Sequence, residues 1–424
     1  MSGPDWAGAG LLLAPAAYAG VMAWLRGQFT SPPRPPSPAF RELSGERGEP
    51  RRRGTESSGS PLSPLNSRNA GEGGRGGEVA QEGEIIFSIL ISARNEAANL
   101  PFLLQDLAAQ TLPATQFEVF LIDDHSTDST AQIIREVAVK SRFSIRLLQL
   151  ADFPHQPTGK KAALAAALPL VRAPWVVCTD ADCRPGPRWL AAYADLIRQH
   201  SSARFVSGPV LLTGTDSLLQ KLVGLEFAGL VGVGAATLAA GHATMCNGAN
   251  LAYRPDTFRA VGGFAGNEQV ASGDDEFLLH KIQAAFPGTA HFLFDPAAIV
   301  RTAAPPTLRA LLRQRVRWAS KWRHYQSAAP RRLAVLVLLA NLALAAGLLL
   351  TVLQNTGLWP WVLAAWLLKL GGDVWFLWPV LGFFGRRRWL GLVPLLQLAY
   401  GPYALGVGLA GWRGSYEWKG RRVC

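Results

Sequence analysis

Three apolar stretches near the end of the chain, at about residues 333–353, 358–384 and 389–411, limit its fold more than any other feature. Each is long enough to cross a bilayer as a helix. Backbone in hydrocarbon must satisfy its own N–H and C=O groups, so all three are expected to be helices in a membrane bundle. Trp359, Trp361, Trp375, Trp378, Trp389 and Trp412 stand near their edges, where aromatic belts form. Arg331-Arg332 and Arg386-Arg387-Arg388 bracket the first two spans, which puts both of those ends in the cytosol. The third span then leaves Arg413, Lys419, Arg421 and Arg422 outside, against the same tendency, and Pro394 and Pro402 leave a broken or re-entrant third segment open. Asp373 follows Lys369 by four residues inside the second span, on one helix face. An intramembrane charge is a candidate for function, here a polar contact with a lipid head group or another helix.

Ala7–Leu25 is a fourth uncharged apolar stretch. No basic residue precedes it and no A-x-A-like site closes it, whereas Arg26, Arg34, Arg41 and Arg51-Arg52-Arg53 follow it. This predicts a retained anchor over residues 1–26 with its C-terminal side in the cytosol. Residues 27–83, rich in Pro, Gly, Ser, Arg and Glu, bury too little apolar surface to offset ordering entropy and are expected to be a disordered linker. The net charge of +12 admits nucleic acid, an anionic membrane or phosphorylated substrates as partners. Because the basic residues cluster at span edges and in the linker, no nucleic-acid partner is expected. Cys178, Cys183, Cys246 and Cys424 have neither zinc-site nor disulfide-framework spacing and read as reduced thiols.

From Ile85 the pattern changes. Ile85–Ile91 and Phe117–Ile122 are continuous apolar runs, as in a parallel sheet covered on both faces, and helices are expected at about 97–110 and 129–139. Strands at 145–150 and 175–178, with a helix at 160–168 between them, extend this into a doubly wound α/β unit. Arg204–Val210 reads as a further strand and Leu251–Tyr253 as another. Leu218–Ala240 is apolar but Gly-rich and contains Lys221 and Glu226, so a buried or interfacial helix is expected rather than a full span. Leu308–Tyr325 is a basic amphipathic helix.

Polar clusters sit at the strand mouths, where ligands gather in an open α/β sheet. Asp180 and Asp182, one residue apart at the end of the run Trp175–Cys178, suit a hard divalent cation that shares its shell with water and phosphate oxygens. The same tripeptide also occurs in ordinary turns. Asp123-Asp124-His125 fits either a ligand site or a strand-end turn with a helix cap, with His125 a turn residue. Asp274-Asp275-Glu276 opens a helix over 276–285, where acidic side chains suit the positive end of the dipole.

Together, Ser92-Ala93-Arg94-Asn95-Glu96, Asp123-Asp124-His125-Ser126-Thr127-Asp128, Thr179-Asp180-Ala181-Asp182, Asp274-Asp275 and Gln314-Arg315-Val316-Arg317-Trp318 follow one another as in membrane-bound family-2 glycosyltransferases, which the chain resembles over roughly residues 85–325. The resemblance implies a GT-A fold over residues 84–304, an interface helix over 305–330 and a transmembrane bundle over 331–424. It implies transfer from a nucleoside-diphosphate sugar, most simply a UDP-sugar, with inversion. Carried over residue by residue, Ser92, Glu96 and Asp124 bind the nucleoside, and Lys160 offsets diphosphate charge. Asp180 and Asp182 meet Mg2+ or Mn2+. Asp275, or its neighbour Asp274, is the base that deprotonates the acceptor. Gln314, Arg317 and Trp318 hold diphosphate and acceptor. About four spans are few for a polymer channel, which favours a lipid or lipid-linked acceptor glycosylated once; the alternative is a processive polysaccharide synthase completed by a membrane partner subunit. Either reading makes this an integral protein of the cell's plasma membrane with a cytosolic catalytic domain.

Overall fold

The computed structural model describes residues 6–31, 84–153, 158–214, 216–267, 273–321, 327–354, 357–412, 416–418 and 421–423. The linker expected at 27–83 lies outside the described residues from position 32 onward, as do Trp322 and Arg323 of the amphipathic helix and Arg413 and Lys419 of the tail.

The α/β unit is built on a seven-stranded sheet of β1 (Phe87–Ala93), β2 (Phe117–Asp123), β3 (Ser144–Gln149), β4 (Trp175–Asp180), β5 (Phe205–Ser207), β7 (Leu251–Tyr253) and β8 (Ala290–Phe292). A second, two-stranded sheet pairs β6 (Val210–Thr213) with β9 (Val300–Ala303) in parallel. The main order is β3-β2-β1-β4-β7-β5-β8, with β7 antiparallel to both neighbours and the other pairs parallel. This is the doubly wound arrangement the alternation of apolar runs predicts. Register aligns Ser92 with Asp180 and Ala93 with Asp123, so the polar ends of the three central strands finish side by side.

The expected single strand at 204–210 is instead two strands in different sheets. Pro209 has no N–H to continue a ladder, and the chain turns there. The turn is tied down by Asn250, whose side chain is fully buried. Its Nδ2 donates to the carbonyls of Pro209 and Ala298, and its Oδ1 accepts from Trp189 Nε1 and Tyr193 OH. A side chain at Gly208 would lie 2.4 Å from that amide, so only glycine fits.

The helices are α1 (Trp6–Thr30), α2 (Leu100–Ala108), α3 (Thr130–Lys140), α4 (Lys160–Ala167), α5 (Trp189–Gln199), α6 (Leu218–Ala239), α7 (Pro255–Ala260), α8 (Asp274–Ala285), α9 (Leu308–Ala319), α10 (Ala328–Gln354), α11 (Trp359–Phe383) and α12 (Val393–Trp412). Because strand side chains alternate, the sheet feeds two cores. Phe87, Ile89, Ile91 and Val119 pack with Leu100, Leu103 and Leu107 of α2 and with Trp189 and Tyr193 of α5. Leu90, Phe120, Ile122 and Val176 share a core with α4, with Leu225 and Ala228 of α6, and with Met22, Leu25, Phe376 and Val380 of α1 and α11. One face of the sheet is therefore continuous with the apolar bundle.

Among the described residues, five helical segments are long and apolar enough to cross a membrane: Ala9–Thr30, Leu218–Ala239, Ala328–Leu353, Trp359–Phe383 and Arg387–Gly411. Leu218–Ala239 differs from the rest in being mostly buried inside the protein, the expected buried helix. Its Gly232 lets Val380 of α11 approach to where a Cβ would be 2.6 Å away. α1 packs along α11, with Gly372 against the Cα of Ala19, a close approach of the kind small residues allow. The third apolar stretch starts as a 3-10 turn, Arg387–Leu392, and continues as one 20-residue helix containing Pro402, not a broken segment. Pro394 falls in its first turn, where a missing N–H costs nothing.

Candidate active site at the strand ends

Asp180 is the last residue of β4 and points its carboxylate at Lys160, the first residue of α4, at 2.6 Å. Lys160 also donates to the carbonyl of Gly248 at 3.1 Å and lies 3.7 Å from Asp274. Burial would push this lysine down, but Asp180 and Asp274 outweigh it and hold the ammonium well above its usual range. Gly248 links two parts of the site, because its N–H donates to Asp275 Oδ2 at 2.7 Å while its carbonyl holds Lys160.

Asp274 and Asp275 open α8 directly after Gly273, which sits at φ +84°. A side chain there would come within 2.8 Å of the Phe277 ring, so glycine makes the turn that aims the pair. The two carboxylates differ in environment. Asp275 is pushed up by burial, but Lys321, Lys160 and the N–H groups of Glu276 and Gly248 win and hold it below the ordinary carboxylate value. Asp274 is raised by burial and by the neighbouring charges of Asp275 and Asp180, against the pull of Lys160. Two adjacent carboxylates with divided pKa values are the usual signature of divided roles. Lys321 is buried and pairs with Glu276 at 3.0 Å.

Asp182, two residues past the strand end, is exposed, and ligand atoms of Asp180, Asp182 and Cys183 lie within 4.8 Å of one another. Burial and the two carboxylates keep the Cys183 thiol protonated, so the usable donors are the hard carboxylate oxygens of Asp180 and Asp182. That donor set fits Mg2+ or Mn2+ sharing its shell with phosphate and water, and does not fit a zinc site.

The β1 and β2 mouths meet through their loops. Glu96 is buried, its side chain accepts from Asn99 at 2.8 Å, and its N–H donates to Thr130 Oγ1. Asp123 accepts from the Ser126 N–H, and Asp128 accepts from Ala97 and Thr130, so these two aspartates do the turn and capping work. Asp124, 1% exposed, instead accepts from the Gly159 N–H at 3.1 Å, at the start of α4. His125 takes φ +57°, the left-handed conformation expected of a turn residue.

A cavity of about 980 Å3 is lined in part by Ser92, Glu96, Lys160, Asp180, Asp182, Asp274, Asp275, Gln314, Arg317 and Trp318. Asp124 is not among its lining residues and stands behind it. The Arg317 guanidinium has no hydrogen-bond or ion-pair partner among the described residues and borders this space, whereas Trp318 packs beside Phe227 at 6.1 Å between ring centroids. Sequence reasoning passed over the middle of that motif. Arg315 is buried, donates to Glu226 Oε2 at 2.7 Å and to Tyr403 OH at 3.1 Å, and lies 4.2 Å over the Trp318 ring. Tyr403 completes the triangle by donating to Glu226 Oε1. The signal was present as a lone glutamate inside an apolar helix. Lys321, also missed, lies two residues beyond the end of α9.

Residues 84–320, more than half of the chain, match the family described as Glycosyltransferase like family 2. Beta-monoglucosyldiacylglycerol synthase of a Nostoc species is 37% identical over 105 residues, 24% of this chain and 22% of that protein. Probable glycosyltransferase YdaM of Bacillus subtilis is 25% identical over 241 residues, 55% of this chain and 54% of that protein. Poly-beta-1,6-N-acetyl-D-glucosamine synthase of Staphylococcus epidermidis is 23% identical over 233 residues, 55% and 53% of the two chains. The chain thus spans from about a fifth to about half the length of these relatives. Among solved structures, mannosyltransferase PcManGT from Pyrobaculum calidifontis, in complex with GDP-Man and Mn2+, has a TM-score of 0.46 at 20% identity and covers 77% of this chain and 87% of its own. The crystal structure of S. aureus TarS 1-349 has a TM-score of 0.41 at 18% identity, covering 80% and 96%.

Proposed function

The chain belongs to the glycosyltransferase-like family 2, and from that premise we propose that it transfers one sugar from a nucleoside-diphosphate sugar to a membrane lipid or lipid-linked acceptor. The observation that carries this reading is the continuity of the cavity. Its polar end holds Asp180, Asp182, Asp275 and Arg317, and its other end runs between Leu230, Val337, Phe376 and Leu405 of four apolar helices. A soluble acceptor has no use for such a wall; an amphipathic one does.

In the reaction the acceptor hydroxyl oxygen attacks the anomeric carbon from the side opposite the diphosphate. Its proton passes to Asp275, and the carbon–oxygen bond to the diphosphate breaks with the electron pair leaving on the nucleoside diphosphate. One carboxylate suffices for such an inverting displacement. Asp275 suits the base because Lys321 and two backbone N–H groups keep it ionised and fixed. Mg2+ or Mn2+ held by Asp180 and Asp182 would supply neutralisation of diphosphate charge. Lys160 and Arg317 add positive charge at the same place, Ser92 and Glu96 border the nucleoside, and buried Asp124 orients the Gly159 turn beside it. Gln314 and Trp318 flank the acceptor entrance. The catalytic domain lies on the cytosolic side of the plasma membrane, where nucleotide-sugars and the arginines at 331–332 and 386–388 belong.

The matched poly-beta-1,6-N-acetyl-D-glucosamine synthase keeps a second reading in play, a processive synthase working with a partner subunit. Product size separates the two. Full-length protein in detergent is incubated with labelled UDP-sugars, Mg2+ or Mn2+, and a lipid extract, and the product is identified by mass spectrometry. A glycolipid carrying one added sugar is expected, lost on chelation and in Asp182→Asn that remains folded; a ladder or high polymer overturns the lipid reading.

A further inference from the structure

Two polar clusters line the apolar part of the cavity, and they differ in one respect. In the first, Glu226, Arg315 and Tyr403 satisfy one another. In the second, Asp373 of α11 accepts from Tyr18 OH of α1 at 2.6 Å, from Lys369 Nζ at 2.9 Å and from Gln397 Nε2 of α12 at 2.8 Å. All four residues border the cavity, and Tyr18, Lys369 and Gln397 are at most 7% exposed. The Lys369–Asp373 pair alone would neutralise both charges on one helix face. Tyr18 and Gln397 go beyond what insertion needs.

The orientation of Gln397 follows from chemistry. A carboxylate only accepts, so the amide must turn its NH2 group to Asp373 and its Oε1 away. That Oε1 is buried and has no hydrogen-bond donor among the described residues. Leaving a carbonyl in such a place costs free energy unless something supplies a donor. Lipid tails offer none; Met22, Leu377 and Leu396 of the same cavity lining are apolar, and its polar Asn341 and Tyr400 make no bond to this oxygen.

We infer that Tyr18, Lys369, Asp373 and Gln397 form a polar subsite inside the helical bundle that binds a hydrogen-bond donor of the lipid acceptor, an O–H or amide N–H other than the hydroxyl being glycosylated. This rests on the lipid-acceptor reading of the same cavity. The subsite selects among lipids by a group near their chains, while the catalytic end handles the reacting hydroxyl.

The test uses the full chain in lipid nanodiscs and two probes that differ by one donor: a diacylglycerol, and its analogue with one ester oxygen replaced by N–H. Retention of each is measured by native mass spectrometry, and transfer to each is measured in the same sample. The wild type is expected to retain the amide about threefold to tenfold better, the factor one neutral hydrogen bond gives. Gln397→Leu and the better-matched Gln397→Met are expected to erase that preference while leaving the donor KM unchanged. Equal retention in the wild type, or a preference that survives both variants, overturns the subsite; continued transfer to lipid then leaves the catalytic reading standing. Retention of neither probe together with polymer formation overturns the lipid reading and the subsite with it.

Discussion

Replacing Asp275 by Asn is the most direct test of the chemistry, because the structure separates its effect on rate from its effect on folding. The carboxylate accepts from the Gly248 N–H at 2.7 Å through Oδ2 and from the Glu276 N–H at 2.8 Å through Oδ1. Asparagine keeps one acceptor oxygen and must turn its NH2 toward the other N–H. One charge-assisted hydrogen bond is lost, worth about 1.5–3 kcal/mol. Part of this is offset because the neutral side chain no longer resists burial, so a net destabilisation of about 1–2 kcal/mol is expected. The protein should remain folded. Loss of a general base lowers turnover by about 100-fold to 10,000-fold, or about 3–5 kcal/mol of barrier. The assay is the initial rate of labelled sugar transfer at saturating donor and acceptor, with donor affinity followed separately by calorimetry. Donor binding should change little. Asp274→Asn, which removes a carboxylate from Lys160 rather than from the acceptor, should act mainly through donor KM. Turnover of Asp275→Asn within tenfold of wild type would refute the assignment.

Three further predictions follow from the surrounding packing. Arg315→Met leaves Glu226 buried without its counter-ion, with only Tyr403 still donating to it, which should cost about 3–5 kcal/mol, whereas the double variant with Glu226→Gln should recover most of it; heat-step retention on size-exclusion chromatography reads both. Asn250→Leu strands four buried partners at once and should cost about 4 kcal/mol or more, seen as greatly increased protease sensitivity. As the proposed base, Asp275 must be ionised, so activity is expected to fall as pH drops through its lowered pKa. Lys321→Met removes the largest charge holding Asp275 down, raises that pKa, and should move the acid limb of kcat/KM to higher pH; an unmoved limb would separate Lys321 from the base.

Much of the α/β unit was legible in the chain. Ile89, Val119, Phe120 and Val177 belong to strands buried on both faces, and continuous apolar runs carry that information locally. The carboxylates at 180, 182, 274 and 275 were legible for a related reason: they interrupt those runs where a strand ends or a helix starts, so their neighbourhood is set by a few adjacent residues. The break between β5 and β6 was only partly so: Pro209 marks it locally, but the turn is fixed by Asn250, distant in the chain, whose amide donates to Pro209 and Ala298.

The amino-acid sequence by itself determined that this chain has a doubly wound α/β unit with carboxylates at its strand ends and apolar helices before and after it. Only the tertiary structure decided which helix faces meet. Its glycines and charges mark Leu218–Ala239 as buried or interfacial, but nothing local names α11 as the partner that buries it or joins the sheet's second core to α1. Nor could spacing unite Glu226 with Arg315 and Tyr403, or Tyr18 with Asp373 and Gln397. Those groups are far apart along the chain, and each finds its partner because a buried polar atom without one is costly. Burial, which folding alone creates, gathered scattered polar residues around one cavity.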